Sequence, residues 1–367
     1  MQNKSRLKIW VCEYVSAGGL ASEALPASLL QEGLLMRDAL LADLSELNVD
    51  CITSHDARVM PPVSISSVAI QPADDVFALW RKQLAANDID ACWVIAPETD
   101  GILERMYQLV QEAGKRWIGC SADAIRKTTS KSMMTNICDQ AEISVIPCRY
   151  LKVLMPLPSL PFYGDSTAGW VVKPDDGAGC EFTYYFKNDS EVNEFNNKIK
   201  NNHSVPYEQL LLQPYIAGQA LSMSVLSTKD QVKVIAGHQQ RITINQGRFG
   251  FEGAGVNEAA QYLPLMQVLA ERVKKAIPGL IGYWGADMIL TDNNALTLVE
   301  INPRLTTPYI QLSKLLTENP AKSILDAVLY NRLSAYAAQS SVSLVLPSVE
   351  GEFDAESDAG SNESFAV

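Results

Sequence analysis

The sequence predicts an α/β protein, with an open parallel α/β domain followed by a second domain that contains an antiparallel sheet. The first observation is that short apolar strands alternate with helical stretches over residues 7–120, which indicates a parallel sheet with right-handed crossovers. The second is a pair of consecutive strand-like runs at 221–226 and 232–244, which indicates an antiparallel sheet. The third is a β-hairpin signature at 285–304.

The composition of the 367-residue chain is that of a globular protein, with 47% hydrophobic and 20% charged residues. Its net charge of −12 argues against nucleic acid or an anionic membrane as a partner. No apolar run approaches the roughly 20 residues of a membrane span, and no signal-peptide core is present at the start. The seven cysteines form no C-x-x-C pair, which favours free thiols. We therefore expect a cytoplasmic protein, and a homodimer is compatible with the sequence.

Residues 1–121 are predicted to form the open α/β domain. A buried strand at 7–15 ends in a Ser-Ala-Gly-Gly turn, a helix capped by Ser28 follows, and a later strand runs into Pro-Glu-Thr-Asp-Gly. Ligands of open parallel sheets bind at the carboxyl ends of the strands. The two turns therefore predict a substrate crevice lined by Tyr14, Ser16, Gly18 and Glu98. For Glu98, a place at the N-terminus of the next helix is an equally good explanation.

Residues 122–338 are predicted to form the second domain, with a smaller subdomain at about 155–216. A helix at 127–139 carries Lys131, and a strand delivers Lys173 into a turn where Gly177 and Gly179 let backbone N–H groups approach an anion. The glycine-rich segment 247–257 is predicted to be a mobile loop that closes over the site. The acidic residues 339–367 are expected to be a disordered tail.

The hairpin is predicted to turn at Asn293-Asn294, because asparagine tolerates the positive φ that a two-residue turn requires. The facing pairs are then Leu290 with Thr297, Met288 with Val299, Asp287 with Glu300 and Gly285 with Asn302. Opposed carboxylates are destabilising unless compensated, and oxygen ligands from two strands suit Mg²⁺ that also binds phosphates. An exposed edge hairpin is the alternative, but apolar residues on both faces favour a buried sheet. The sequence therefore predicts a Mg²⁺–phosphate site here.

The chain resembles the ATP-grasp superfamily over residues 122–316. The motifs that carry this resemblance are Lys131, Lys173 with its glycine turn, the connector Leu-Gln-Pro-Tyr-Ile-Ala-Gly and the Asp287…Glu300-x-Asn302 hairpin. More narrowly, Glu-Tyr-Val-Ser-Ala-Gly-Gly-Leu, Pro-Glu-Thr-Asp-Gly and Val-Glu-Ile-Asn-Pro-Arg-Leu-Thr-Thr-Pro-Tyr resemble ATP-grasp ligases of the tyramine–L-glutamate ligase type. Those enzymes act in methanofuran and methylofuran biosynthesis.

The resemblance implies an ATP-grasp fold, in which two α+β subdomains follow the open α/β domain and clasp ATP, with Mg²⁺ or alternatively Mn²⁺ as the metal. The residues implied are Lys131 and Lys173 for the phosphates, the backbone of Gln213, Pro214 and Tyr215 for the adenine edge, and Asp287, Glu300 and Asn302 for the metal. Arg304 would face the transferred phosphate or the acyl substrate. The chain departs from the family pattern at Gly285, where some peptide ligases carry an arginine for the acyl oxyanion. Arg304 or Arg241 could supply that positive charge instead. The chain also departs at Gln219-Ala220, where many members have a ribose-binding glutamate.

The reaction implied is transfer of the γ-phosphoryl group of ATP to a carboxylate, followed by attack of an amine on the acyl phosphate. Small-molecule carboxylate and amine substrates would be the partners, with L-glutamate and tyramine or a tyrosine-derived amine as the pair that the resemblance implies. An ATP-grasp ligase of other substrates, such as a peptide ligase or a carboxylase, is one alternative. A nucleotide-binding regulatory protein is another, which the complete set of lysines and metal ligands disfavours.

Overall fold

The computed structural model describes residues 6–86, 88–152, 168–177, 180–200, 206–333 and 340–346. The helices are α1 (Ala27–Ser45), α2 (Val76–Ala86), α3 (Ile102–Glu112), α4 (Ala122–Thr129), α5 (Lys131–Gln140), α6 (Asp189–Ile199), α7 (Leu263–Ala276), α8 (Leu312–Leu315) and α9 (Pro320–Tyr330). The strands are β1 (Leu7–Glu13), β2 (Val49–Asp56), β3 (Ser66–Ile70), β4 (Ala91–Ile95), β5 (Arg116–Trp117), β6 (Arg149–Tyr150), β7 (Trp170–Pro174), β8 (Tyr184–Phe186), β9 (Leu210–Pro214), β10 (Gln219–Ser227), β11 (Val232–Asn245), β12 (Arg248–Val256), β13 (Gly282–Leu290), β14 (Leu296–Asn302) and β15 (Val342–Val345).

The first sheet is parallel throughout, in the order β3-β2-β1-β4-β5. Alternate residues of β1 enter two different apolar clusters, Trp10 with residues of α2 and α3, and Ile9 with residues of α1. Helices therefore cover both faces, as the alternation of strands and helices predicts. The predicted cap of α1 is wrong, because the helix begins at Ala27 and the extended residue before it is Pro26.

The second sheet is antiparallel, in the order β14-β13-β10-β11-β12-β8-β7-β9-β6, with β15 also paired to β12. One face of its central strands is apolar and packs with α7 through residues such as Trp284 and Met288. Strand alternation places Asp287 and Glu300 on the opposite face, together with the buried Ser224 and His238. This polar face carries the candidate site.

The glycine-rich segment is a strand, and the prediction of a mobile loop at 247–257 is wrong. β12 pairs with β11 along one edge and with β8 and β15 along the other. Gly253 has a φ of +127°, and a Cβ built on it would lie 2.2 Å from the carbonyl oxygen of Leu344. The glycine at this position therefore allows two strands to approach closely.

The start of the predicted tail is also structured. Val342–Val345 forms β15, and Leu344 is buried, so this part of the tail packs on the second sheet. Residues 347–367, residues 155–167 of the predicted smaller subdomain and Gly179 lie outside the described residues.

The predicted helix at 127–139 is two helices. Ser130 has an extended ψ of 111°, which ends α4, and its side chain accepts a hydrogen bond from the Met133 N–H and so caps α5. Lys131 is consequently the first residue of α5.

No helix among the described residues has the length and apolar character needed to span a membrane. All seven cysteines are free, as their spacing predicts.

Candidate active site

The predicted pairing of the acidic hairpin residues is confirmed. Asp287 pairs with Glu300, and Gly285 pairs with Asn302. Gly285 does not leave open space, however, because the Thr306 methyl group occupies it, 2.6 Å from where a Cβ would stand. The two carboxylates and the Asn302 amide therefore share one face of β13 and β14.

The register closer to the turn differs from the prediction by one residue. Met288 pairs with Leu298 and Leu290 with Leu296, and the register shifts between Asp287 and Met288. The turn is not the predicted two-residue turn, because Thr291 N–H bonds to Ala295 O and only Asn294 of the two asparagines has a positive φ. A three-residue loop is one residue longer than the predicted turn, and the bulge in β14 restores the alignment at the carboxylates.

The two carboxylates have different electrostatic environments. Burial raises the pKa of Asp287 well above its ordinary value, and the neighbouring Glu300 adds to this shift. Burial also raises the pKa of Glu300, but Lys131, Lys173, the hydrogen bond with Asp287 and Arg304 together lower it by more, so that its net shift is downward. Gln240 Nε2 donates to Asp287 Oδ1 at 3.1 Å, a contact that the sequence analysis did not predict.

The two lysines converge on Glu300 from different elements. Lys131 Nζ lies 3.6 Å from Glu300 Oε2 and donates to the Gly177 carbonyl at 2.8 Å. Lys173, at the end of β7, is 7% exposed, and burial lowers the pKa of its ammonium although Glu300 opposes the shift. Within the described residues its side chain forms no hydrogen bond or ion pair at contact distance, so its charge is available to a ligand.

Asp175 links the elements that carry Lys131 and Lys173, and this role was not predicted from the sequence. Its carboxylate accepts hydrogen bonds from Ser130 Oγ (2.9 Å), Ser132 N–H (2.7 Å) and Tyr150 OH (3.1 Å), and its carbonyl accepts one from Lys131 N–H (2.9 Å). The turn after Lys173 is thereby tied to the first turn of α5. The sequence offered a signal, because an acidic residue after the strand could satisfy the N-terminus of a nearby helix.

Asp175→Ala is expected to lower the free energy of unfolding by about 2 kcal/mol and to weaken ATP binding about tenfold, because several donors lose their acceptor. Chemical denaturation and calorimetry measure the two effects. Asp176→Ala is the matched control, since Asp176 accepts one long hydrogen bond, from Asp100 N–H at 3.2 Å. Equal stability and equal ATP affinity of the two variants would contradict the role of Asp175.

The residues predicted to read the adenine lie in and beyond β9. Gln213 is buried, and its side-chain amide donates to the Ile146 carbonyl at 3.3 Å. Pro214 pairs with Trp170 at the end of the strand, and Tyr215 N–H donates to the Gly169 carbonyl at 2.8 Å. The Gln213 side chain therefore orients the strand, and a role of this backbone in base recognition stays a prediction.

Arg304 and Glu98 form an ion pair that joins the two sheets. Arg304 Nε and Nη2 each lie 3.0 Å from Glu98 Oε2, and Nη1 donates to the Leu305 carbonyl at 3.2 Å. Glu98 is the N-cap residue of the short 3-10 helix Thr99–Gly101, as the alternative explanation predicts, but its side chain makes no capping hydrogen bond. Burial lowers the pKa of Arg304, but Glu98, Glu32 and Glu300 raise it by more. The guanidinium is thus held in one orientation close to the carboxylates of the hairpin.

The remaining predicted substrate residues contact groups outside the hairpin. Ser16 N–H donates to Glu13 Oε2 at 2.7 Å, Gly18 has a φ of +98° and packs on Ile70, and Tyr14 packs on Trp80. The predicted strand at 7–15 ends at Glu13, and the turn that follows it is helical, Val15–Gly19, with Tyr14 as the residue before it. Arg241 is not brought to the carboxylates: it lies on the face of β11 opposite Gln240, and its guanidinium donates to Ser343 Oγ.

Among the described residues, no group of three or more His, Cys, Asp or Glu side chains is arranged to hold a metal ion. The donor set is two carboxylates and one amide, all oxygen ligands. This set suits a cation that takes its other ligands from phosphate and water.

The fold agrees with known proteins. Residues 149–308 match the ATP-grasp domain family, and residues 49–125 match the pre-ATP-grasp domain family. Two tyramine–L-glutamate ligases are similar in sequence. The one from Methanocaldococcus jannaschii is 24% identical over 298 residues, covering 80% of this chain and 81% of the relative. The one from Methanocaldococcus fervens is 26% identical over 305 residues, covering 80% and 86%.

Solved structures share the architecture at low identity. The L-amino acid ligase from Bacillus licheniformis has a TM-score of 0.61 and 12% identity, over 89% of this chain and 75% of that one. The biotin carboxylase domain of Hydrogenobacter thermophilus 2-oxoglutarate carboxylase, solved with MgADP and bicarbonate, has a TM-score of 0.66 and 13% identity, over 89% and 70%. The chain therefore has the ATP-grasp fold, with an ATP-grasp domain matched at residues 149–308.

Proposed function

We propose that this protein is an ATP-dependent carboxylate–amine ligase, which joins the carboxylate of L-glutamate to tyramine or another tyrosine-derived amine in methanofuran-type cofactor biosynthesis. The observation that carries the proposal is the convergence of two lysines, two opposed carboxylates and one partly buried arginine on one face of the second sheet. The substrate pair is supported by the two sequence relatives named tyramine–L-glutamate ligase.

The residues of the hairpin fit a magnesium ion. Asp287 and Glu300 face each other in a buried setting that disfavours two uncompensated negative charges, and Asn302 adds a neutral oxygen. These three residues would hold Mg²⁺, which when bound neutralises charge on the β- and γ-phosphates. The structural relative solved with MgADP supports the same nucleotide and metal here.

The chain's own residues do little acid–base chemistry in the proposed reaction. Lys131 and Lys173 would bind the α- and β-phosphates and hold the nucleotide in line with the acid substrate. Arg304, oriented by Glu98, would bind the acid's carboxylate and stabilise negative charge as the phosphoryl group is transferred. The amine then attacks the acyl carbon, the amide forms, and phosphate leaves.

The experiment is to incubate the purified protein with ATP, Mg²⁺ and L-glutamate, to add tyramine, tyrosine or another amine in turn, and to follow ADP, AMP and the amide by mass spectrometry. We expect ADP and a glutamyl amide of tyramine, without AMP. Arms with bicarbonate and with pairs of amino acids test the carboxylase and peptide-ligase alternatives. ADP release with another acid and amine, and none with any tyrosine-derived amine, would overturn the substrate assignment and keep the ligase assignment. ATP binding without turnover in every arm would favour a regulatory protein.

A further inference from the structure

A chain of hydrogen bonds crosses the polar face of the second sheet and ends beside the candidate site. It runs from Asn257 N–H to His238 Nδ1 (3.2 Å), between His238 Nε2 and Ser224 Oγ (2.9 Å), between Ser224 Oγ and Tyr283 OH (2.6 Å), and between Tyr283 OH and Thr306 Oγ1 (2.8 Å). His238 and Ser224 are completely buried and Tyr283 is nearly so, whereas Thr306 is partly exposed. This hydrogen-bond chain thus leads from the protein interior to a residue that a ligand can reach.

The direction of the donors follows from the first bond. A backbone N–H can only donate, so His238 Nδ1 accepts from Asn257 and the ring hydrogen is on Nε2. Burial lowers the pKa of His238 to about 3, which agrees with a neutral ring. His238 Nε2–H then donates to Ser224, Ser224 donates to Tyr283, and Tyr283 donates to Thr306. In this arrangement every member is satisfied, and the Thr306 hydroxyl hydrogen remains available for a ligand.

Thr306 stands next to the groups that the proposed reaction uses. Its methyl group covers Gly285, which is the partner of Asn302 across the hairpin. It follows Arg304 by two residues, in the loop that Arg304 anchors through Glu98. A hydroxyl at this position and a guanidinium two residues earlier can address the same carboxylate.

We propose that Thr306 is a substrate-binding residue, whose hydroxyl donates a hydrogen bond to an oxygen of the acid's carboxylate beside Arg304. Tyr283, Ser224 and His238 are positioning residues, because they act on the substrate only through the orientation of that hydroxyl. This inference rests on the proposed function, since it assigns a second contact to the acid substrate.

The first test compares Thr306→Val, which removes the hydroxyl and keeps the shape, with Thr306→Ser, which keeps it. With L-glutamate as the acid, we expect Thr306→Val to raise its KM about tenfold without changing the KM for ATP, and Thr306→Ser to remain within about twofold of the wild type. Tyr283→Phe should raise the same KM. The double variant Thr306→Val with Tyr283→Phe should show no further increase, because both changes interrupt the same hydrogen-bond chain.

Tyr309→Phe is the matched control. Tyr309 is also fully buried, and its ring contacts that of Tyr283. Its hydroxyl, however, donates to Asp43 at 2.7 Å and is not a member of the hydrogen-bond chain. It should lower stability without changing the KM for the acid. An unchanged KM in Thr306→Val, or independent and additive effects of Thr306→Val and Tyr283→Phe, would overturn the inference.

A second measurement does not depend on turnover. The ¹⁵N chemical shifts of the His238 ring should show a neutral, Nε2-protonated imidazole between pH 5 and 9, and an Nδ1-protonated ring would overturn the direction of the chain. If the wild type forms no amide from L-glutamate, the proposed substrate fails separately. The variants are then compared with the acid that does support ADP formation, and the same KM criteria decide.

Discussion

Glu300→Gln is expected to lower Mg²⁺-dependent ADP formation by about a hundred- to a thousandfold while the protein remains folded. Glutamine keeps the shape of the side chain but removes the charge that faces Asp287 and lies 3.6 Å from the Lys131 ammonium. The variant would therefore lose the charge of a proposed metal ligand, and with it the group that compensates both lysines. A coupled assay for ADP, with circular dichroism to confirm folding, measures the effect.

The matched control for this change is Glu252→Gln. Glu252 also lies in a strand of the second sheet, but its side chain is exposed. Its substitution should leave ADP formation within about twofold of the wild type, as is usual for exposed surface positions. Near wild-type activity of Glu300→Gln would remove the hairpin from the reaction.

Lys173→Met is expected to raise the Kd for ATP by about tenfold to a hundredfold and to leave the free energy of unfolding unchanged or higher. The ammonium is nearly buried, and burial lowers its pKa, so the folded protein gains no stability from this charge. Methionine fills a similar volume without the charge. Isothermal calorimetry gives the affinity, and urea denaturation gives the stability.

Lys152→Met is the control for the lysine. The ammonium of Lys152 is more exposed and pairs with Glu208 at 2.5 Å. Surface pairs of this kind contribute about 0–1 kcal/mol, so both ATP affinity and stability should change little. An unchanged Kd for ATP in Lys173→Met would reject the assignment of Lys173 to the phosphates, and a large loss of stability would show that its charge has a protein partner.

The polar face of the second sheet explains why these effects should be separable. Asp287 and Glu300 lie in β13 and β14, and the buried chain of Ser224 and His238 lies in β10 and β11 on the same face. Changes in the hairpin are expected to act on the proposed metal and phosphate contacts, whereas changes in the hydrogen-bond chain are expected to act on the loop after β14. Rate and acid affinity are therefore expected to respond to different substitutions.

The sequence alone determined the opposed carboxylates of the hairpin and the parallel first sheet. Asp287 and Glu300 are close in the chain, and the alternation of a strand brings them to one face whatever the rest of the protein does. The predicted turn was one residue too short, and the bulge between Asp287 and Met288 compensates for the extra residue. The alternation of strands and helices is equally local, which is why the first domain could be read from periodicity.

Only the tertiary structure decided the partners that come from distant segments. Arg304 and Glu98 are 206 residues apart, and Ser224 meets Tyr283 because β10 lies between β11 and β13. The glycine-rich segment is a strand because β11, β8 and β15 pair with it. Its own composition does not indicate these pairing partners. A local pattern specifies which face a side chain occupies, but strand order and the packing of separate segments decide what that side chain meets.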